Sequence, residues 1–355
     1  MSQDPTNSGG MAGAEAALED ARPVAWAFSG GARGMENQCL ALAEAAGYRP
    51  VPLQVTARAP WKWLPEKAWP LWGKVPARLS DKNRKTLLGP WPDLVVACGR
   101  QSVTLAIHIK RQSQGRTFVV QCQDPRVSAA LFDMVVPPEH DGMAAAENVL
   151  PILGSPNLVL PWRLEAAARR WEPVFAPLKR PLIAVAIGGS SSAYTLTRDT
   201  IENLFRHLEQ EQASSGGTLA LTTSRRTGAD NEALVRAHAE RLGAWLWDGD
   251  GDSPILGLYA LADAIVVTED SVNMAAEAAA SGKPLHVAKL TGGSEKFDHF
   301  HDALKARGIA RELSGTAYET WDYTVLSETL RAAAEIRQRM KTLGFTLPPP
   351  RQTNP

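Results

Sequence analysis

The segment Ala262-Asp-Ala-Ile-Val-Val-Thr-Glu-Asp-Ser-Val-Asn-Met-Ala-Ala-Glu-Ala-Ala-Ala-Ser-Gly-Lys-Pro284 decides the reading of this chain. It predicts a buried strand, Ala264 to Val267, a polar turn, Thr268 to Ser271, and a short Ala-rich helix. Gly-Lys-Pro then leads into another strand, Leu285 to Ala288. That order sets Asp270 in the turn and places Ser271 and Val272 at a helix N-terminus. Free backbone N–H groups and the helix dipole favour a phosphate there. Glu277 falls six residues beyond Ser271, about one and two-thirds turns along the helix. Strand, phosphate turn and downstream acid point to a nucleotide or nucleotide-sugar site. An ordinary βαβ unit with a capped helix is the plainer alternative.

Outward from this segment, two stretches echo one another. Val24–Phe28 reads as a strand running into Ser29-Gly-Gly-Ala-Arg-Gly34, and Pro181–Ile187 as a strand running into Gly188-Gly-Ser-Ser-Ser192. Each opens a series of short apolar strands alternating with helical stretches, the pattern of a doubly wound parallel sheet. The strands are expected near 24–28, 51–55, 94–98, 117–121 and 133–136, then near 182–187, 218–222, 244–247, 264–267 and 285–288. The fold class is therefore α/β: two Rossmann-like domains with parallel sheets, facing one another across a cleft. The expected layout is a disordered tail over 1–20, a first domain over 21–160, a link over 161–180 and a second domain over 181–325. A helix over 326–345, able to cross back to the first domain, and a loose tail over 346–355 follow.

The chain has 355 residues, too many for one small core, and 38 basic against 38 acidic residues. A formal net charge of zero gives no footprint for nucleic acid, so anion binding must be local. Cys39, Cys98 and Cys122 lack metal-ligand spacing and cannot all pair, which fits a reduced, cytosolic compartment. No run of about 18 apolar residues suggests a membrane span. The first ~20 residues lack the basic and apolar regions of a signal peptide.

Several further segments carry a family resemblance. They are Ser29–Gln38, Gln121–Arg126, Phe132–Asp141, Ile187–Ser190, Thr223–Thr227, Trp247–Asp250, Thr268–Pro284, Lys296-Phe297 and Phe300-His301. Together, over about residues 22–330, the chain resembles the mitochondrial fission, or elongated-mitochondria (ELM-like), proteins and their bacterial members. It departs from the family pattern at Gly34-Met35, where Gly-His is expected, and at Ser253-Pro254, where Asn-Pro is expected. The first departure removes a possible acid/base histidine. The resemblance implies a GT-B glycosyltransferase-like fold whose second domain binds a nucleotide-sugar. In that setting Glu277 resembles the acid that holds the ribose hydroxyls, and Ser271 the turn at the diphosphate.

The residues themselves nominate the rest of the site. Gly188, Gly189 and Ser190 follow a strand and offer amides and a hydroxyl to a phosphate, though a Gly-Gly turn there is common. Ser224, Arg225 and Arg226 lie at a carboxyl end of the sheet, where ligands bind in such folds and arginine grips phosphate oxygens. On the acceptor side the candidates are Gly30, Gly31, Arg33, Asn37, Gln38 and Arg126. A base for an acceptor hydroxyl is sought among His140, Asp141 and Asp124, each following a strand. No metal and no resident cofactor are expected, the nucleotide-sugar being the donor substrate. Asp298-His-Phe-His-Asp302 and the Asp248–Asp252 loop have metal-ligand residue types, but their spacing suits capping and loop geometry better.

Between Arg58 and Lys85 stand eight basic residues and two acids, net +6, interleaved with Trp61, Trp63, Trp69 and Trp72. Such a mixture suits a membrane interface, although four prolines break any long amphipathic helix. The expected function is transfer of a sugar from a nucleotide-sugar to a lipid-linked or cell-surface glycan acceptor. The expected location is cytoplasmic, peripheral on the inner face of the membrane. A non-catalytic membrane-associated adaptor and a nucleotide-sugar 2-epimerase are the alternatives on the same fold.

Overall fold

A computed structural model describes residues 22–57, 59–64, 77–79, 90–315 and 318–351. The chain divides into two compact units. Among the described residues, the first unit takes in those up to Pro137 together with Ala144–Leu150 and Thr329–Arg351. The second takes in Pro138–Met143 and Pro151–Glu328.

The first sheet is built from β1 (Val24–Ser29), β2 (Arg49–Ala57), β3 (Ala77–Leu79), β4 (Leu94–Cys98), β5 (Phe118–Cys122) and β6 (Met134–Val136). Its order is β3-β2-β1-β4-β5-β6, parallel throughout except for the edge strand β3. Its helices are α1 (Arg33–Ala45) and α2 (Val103–Gln112). β4 and β5 are buried along their whole length, as expected of parallel strands covered on both faces.

After α3 (Pro161–Phe175), the second sheet begins with β7 (Leu182–Ile187). There follow β8 (Tyr194–Thr195), α4 (Arg198–Ser215), β9 (Thr218–Thr223), α5 (Ala229–Leu242), β10 (Trp245–Leu246), α6 (Ile255–Leu261) and β11 (Ala264–Thr268). The unit continues through α7 (Val272–Ala279), β12 (Leu285–Ala288), β13 (Thr291–Gly292), α8 (Glu295–Ala306) and β14 (Ala310–Glu312). The sheet order β10-β9-β7-β11-β12-β14 is parallel throughout, while β13 pairs with β8 in a separate antiparallel ribbon. Alternation along β7 divides the core: Leu182, Ala184 and Ala186 pack with Ile265, Val267 and α7 on one face. Ile183, Val185 and Ile187 pack with Val266 and α4 on the other.

The sequence of strands reverses direction at β1/β4 in the first sheet and at β7/β11 in the second. Ligands of doubly wound folds bind at the carboxyl side of such a switch point. The last helix, α9 (Glu328–Thr342), packs with the first unit. Arg337 Nη1 donates to Ala46 O at 2.7 Å, Phe345 meets Phe118 edge to face, and Arg351 pairs with Glu44 at 2.6 Å. Among the described residues no helix is long and apolar enough to cross a membrane. Most of the basic, Trp-rich stretch 58–85 lies outside the described residues, as do the expected tail over 1–20 and residues 352–355 of the expected tail at the other end.

Candidate functional site

Three strands of the second unit, β7, β9 and β11, deliver the candidate residues to one edge of the sheet. β11 ends in Thr268, followed by Glu269, Asp270 and Ser271, which caps α7 by accepting the Met274 amide at 3.3 Å. The Ser271 hydroxyl is thus engaged at the cap. The Val272 and Asn273 amides, in the first turn of α7, have no intrahelical acceptor by position. The buried Ser155 hydroxyl donates to Asn273 Oδ1 at 2.7 Å and fixes that carboxamide at the same helix end.

Glu277 is half-buried and has no hydrogen bond or ion pair among the described residues. Burial pushes its carboxyl up to about 7. A carboxylate kept poor in water and without a partner is costly, so its presence calls for a partner from outside the chain. Nearby, the fully buried Tyr259 leaves its hydroxyl without an acceptor; burial, followed by the Glu277 charge, raises that phenol.

The loop after β7 is joined to the turn after β11. The Gly188 amide donates to Thr268 Oγ1 at 2.8 Å and the Gly189 amide to Asp270 Oδ2 at 3.0 Å. A Cβ on Gly188 would overlap the Asp270 carboxylate, and one on Gly189 the Arg226 carbonyl. These glycines allow three chain segments to converge, and their two amides are engaged within the protein. Ser190 is exposed and accepts the Leu196 amide at 3.0 Å. The Ser224 amide donates to Ile187 O at 2.9 Å, and its hydroxyl accepts the Arg226 amide at 3.2 Å.

The two arginines separate in role. Arg226 Nη2 lies 2.7 Å from Asp270 Oδ2, whose side chain is 0% exposed while the arginine's is 42% exposed. Thr268 donates to the other carboxylate oxygen at 2.6 Å. Arg226 is thus a cation pinned at the surface by a buried acid, whereas Arg225 is exposed and has no partner among the described residues.

His140 and Asp141 lie in a short 3₁₀ turn that packs with the second unit. Asp141 pairs with Lys296 of α8 at 2.6 Å, and the His140 ring meets Phe300 edge to face at 6.0 Å. Burial, then Lys296, pushes His140 down to about 4 against the pull of Asp141, with His299 adding to the fall. The ring is neutral at pH 7, and its Nδ1 is buried with no hydrogen-bond partner.

Asp124 belongs to the first unit. It accepts the Arg126 amide at 2.8 Å and lies 3.4 Å from Arg126 Nε. Gln123 and Arg126 both take positive φ, 68° and 59°, strained for side-chain-bearing residues. Gly30 and Gly31 follow β1, Arg33 opens α1 exposed, and Asn37 and Gln38 lie on α1. Gln38 Oε1 accepts from Gln123 Nε2 and from Cys98 Sγ, each at 3.3 Å. The three cysteines are buried and unpaired in disulfides.

Residues that the sequence reading did not assign to the site also gather at the second sheet's carboxyl edge. Glu269, 5% exposed in its side chain, accepts the Leu290 amide at 2.6 Å and pairs with Lys289 at 3.1 Å. His301 Nε2 lies 2.9 Å from Glu269 O. The discernible signal was position alone: Lys289 is the first residue after a strand predicted to end at Ala288. In the Asp248–Asp252 loop, Asp248 accepts the Asp250 amide and Asp252 pairs with Arg170.

A family model described as mitochondrial fission ELM1 matches residues 33–340. The chain is 31% identical over 289 residues to the mitochondrial fission protein ELM1 of Arabidopsis thaliana, covering 74% of this chain and 67% of that one. It is 24% identical over 290 residues to an uncharacterized protein of Rickettsia prowazekii, covering 70% and 80% respectively. In fold it matches UDP-GlcNAc 2-epimerase from Neisseria meningitidis bound to UDP-GlcNAc, with a TM-score of 0.50 and 12% identity over 90% of this chain and 99% of that one. The architecture is that of the GT-B type, two doubly wound units in one chain.

Proposed function

As the chain belongs to the mitochondrial fission ELM1 family, we propose that it binds a nucleotide-sugar on its second unit and transfers the sugar to an acceptor held by the first. The observation that carries this reading is Glu277: a half-buried carboxyl, raised to about 7 and lacking a partner among the described residues, on the same helix whose first turn carries the free amides of Val272 and Asn273. Two ribose hydroxyls would hydrogen-bond to that carboxylate and relieve its isolation. The diphosphate would then lie at the α7 N-terminus, with Arg225 free to close on it and Arg226 fixed beside it by Asp270. The helix amides and Arg226, already fixed in place, would stabilise charge on a departing diphosphate without reorganising, and Arg225 would add to them on closing. His140, Asp141 or Asp124 would take the acceptor proton, and Gly30, Gly31, Arg33, Asn37, Gln38 and Arg126 would receive the acceptor.

The proposed acceptor is lipid-linked or a cell-surface glycan, with the chain peripheral at a membrane through its 58–85 stretch. Within the described part of that stretch, Trp63 is 71% exposed and Leu64 37%, a pair suited to headgroup depth. The same pair favours the second reading, a non-catalytic adaptor that uses this face alone. Thermal unfolding of the full chain with UDP-, GDP-, CDP- and dTDP-sugars separates the two. One nucleotide-sugar should raise the midpoint of wild type but not of Glu277→Ala. Unchanged midpoints with every nucleotide-sugar would leave the adaptor.

A further inference from the structure

Glu269 and Asp270 are consecutive, both are buried at the end of β11, and each holds one cation that reaches solvent. Asp270 holds Arg226, which follows β9 on one side of β11; Glu269 holds Lys289, which follows β12 on the other. The Glu269 carboxylate is fully satisfied, one oxygen by the Leu290 amide and the other by Lys289 at 3.1 Å. Lys289 itself is half-exposed, and a lysine ammonium carries three donors. Contact with Glu269 leaves donors directed away from the acid.

We propose that Lys289 is a further anion-binding cation of this site, beside the two arginines, positioned by Glu269 across β11 from Arg226, and that it holds one half of a diphosphate group. The proposal deepens the nucleotide-sugar reading but rests on it only for the nucleoside, not for the diphosphate.

Three observations support it. A surface lysine that served only solubility would gain little from a buried acid, because removing a carboxylate from water costs several kcal/mol and exposed pairs return less than ~1. Here the arrangement occurs twice in adjacent positions, on both flanks of a helix N-terminus at the topological switch point of the sheet. Secondly, polar atoms beside these acids lack partners. Tyr194, 2% exposed, leaves its hydroxyl without a hydrogen bond, and burial followed by the charges of Glu269, Asp298 and Asp270 raises it to about 12. His301, whose Nε2 meets the Glu269 carbonyl, leaves Nδ1 buried and unpartnered. Buried polar atoms without partners are uncommon in folded proteins and mark places where a ligand or ordered water completes the network.

Thirdly, the charge on Lys289 is secure. Partial burial works against it, but the Glu269 hydrogen bond and charge, with Glu312 and Asp298, raise the ammonium above its ordinary value. A permanently charged point donor at this edge suits a phosphate group better than a neutral sugar hydroxyl.

The test is calorimetric titration of the full chain with inorganic pyrophosphate and, separately, UDP, at two salt concentrations. Wild type is compared with Lys289→Arg, Lys289→Ala and the double variant Lys289→Ala/Glu269→Gln, in which no buried carboxylate is left unpaired. Pyrophosphate affinity should fall about tenfold in both alanine-bearing variants, with a shallower salt dependence, and recover in Lys289→Arg. Wild-type affinity in the double variant would overturn the proposal. Pyrophosphate binding that depends on Lys289, without binding of any nucleoside diphosphate, would leave the proposal standing and remove the nucleotide reading. Failure of wild type to bind either probe would remove both.

Discussion

Replacing Glu277 with glutamine should stabilise the protein above neutral pH while removing its affinity for nucleotide-sugars. Burial raises the Glu277 carboxyl from an ordinary 4.5 to about 7, a difference of about 2.5 pH units. At ~1.4 kcal/mol per unit this is at most about 3.5 kcal/mol, and about 3 kcal/mol once the partial exposure of the side chain is allowed for. The sign follows from proton counting. Between pH 4.5 and 7 the folded chain keeps a proton that the unfolded chain has released, so stability falls as pH rises through this window and levels off above it. Glutamine has the same shape and cannot ionise. The variant should therefore match wild type near pH 4.5 and exceed it by up to about 3 kcal/mol at pH 8. For a unit of this size that is a rise in unfolding midpoint of roughly 6–12 °C. The assay is urea denaturation of both proteins at half-unit steps from pH 4.5 to 8.5, followed by tryptophan fluorescence. Parallel stability curves across that range would refute the claim that Glu277 is an unpartnered acid held in a poorly hydrated place. Lower stability of the variant at pH 8 would show that the carboxylate has a partner inside the protein.

Other consequences follow from the same edge of the second sheet. Arg226→Ala leaves the buried Asp270 carboxylate without its cation and should cost about 3–5 kcal/mol in denaturant titrations, whereas Arg225→Ala should stay within about 0.5 kcal/mol and lower only the affinity for nucleotide. Gly189→Ala drives a methyl group into the Arg226 carbonyl and should destabilise by about 1–3 kcal/mol; an unchanged midpoint would show that the loop yields freely. The His140 ring should titrate near 4 by NMR. Since the unfolded chain binds that proton first, stability should fall as pH drops from about 6.5 towards 4, and His140→Gln should flatten this part of the curve.

The fold was legible because parallel strands covered on both faces are written as short apolar runs. Phe118–Cys122 and Leu182–Ile187 needed little more than their hydrophobicity. Ala310–Glu312 escaped notice for the opposite reason: this edge strand buries Ala310 and exposes Arg311 and Glu312, so no run marks it. Ala77–Leu79 is similarly short and pairs antiparallel at the other sheet's edge.

The site was legible where chemistry is local, as at Ser271 and Glu277, whose relation is fixed by one helix. It was not legible where partners lie far apart in sequence. Gly188 and Gly189 read as phosphate-binding amides, yet their acceptors, Thr268 and Asp270, stand about 80 residues away. Nor does anything in the local sequence of Lys289 announce Glu269 or His301, which β12 and α8 bring to it.

The central claim is that the second unit holds a nucleotide-sugar through Glu277. Calorimetric titration of the full chain with UDP, CMP, GDP and dTDP and their sugars, beside Glu277→Ala, tests it most directly. The account predicts saturable binding of one nucleotide and its sugar, lost in the variant although the variant remains folded. Equal binding by wild type and Glu277→Ala, or binding of none of these compounds by wild type, would contradict it.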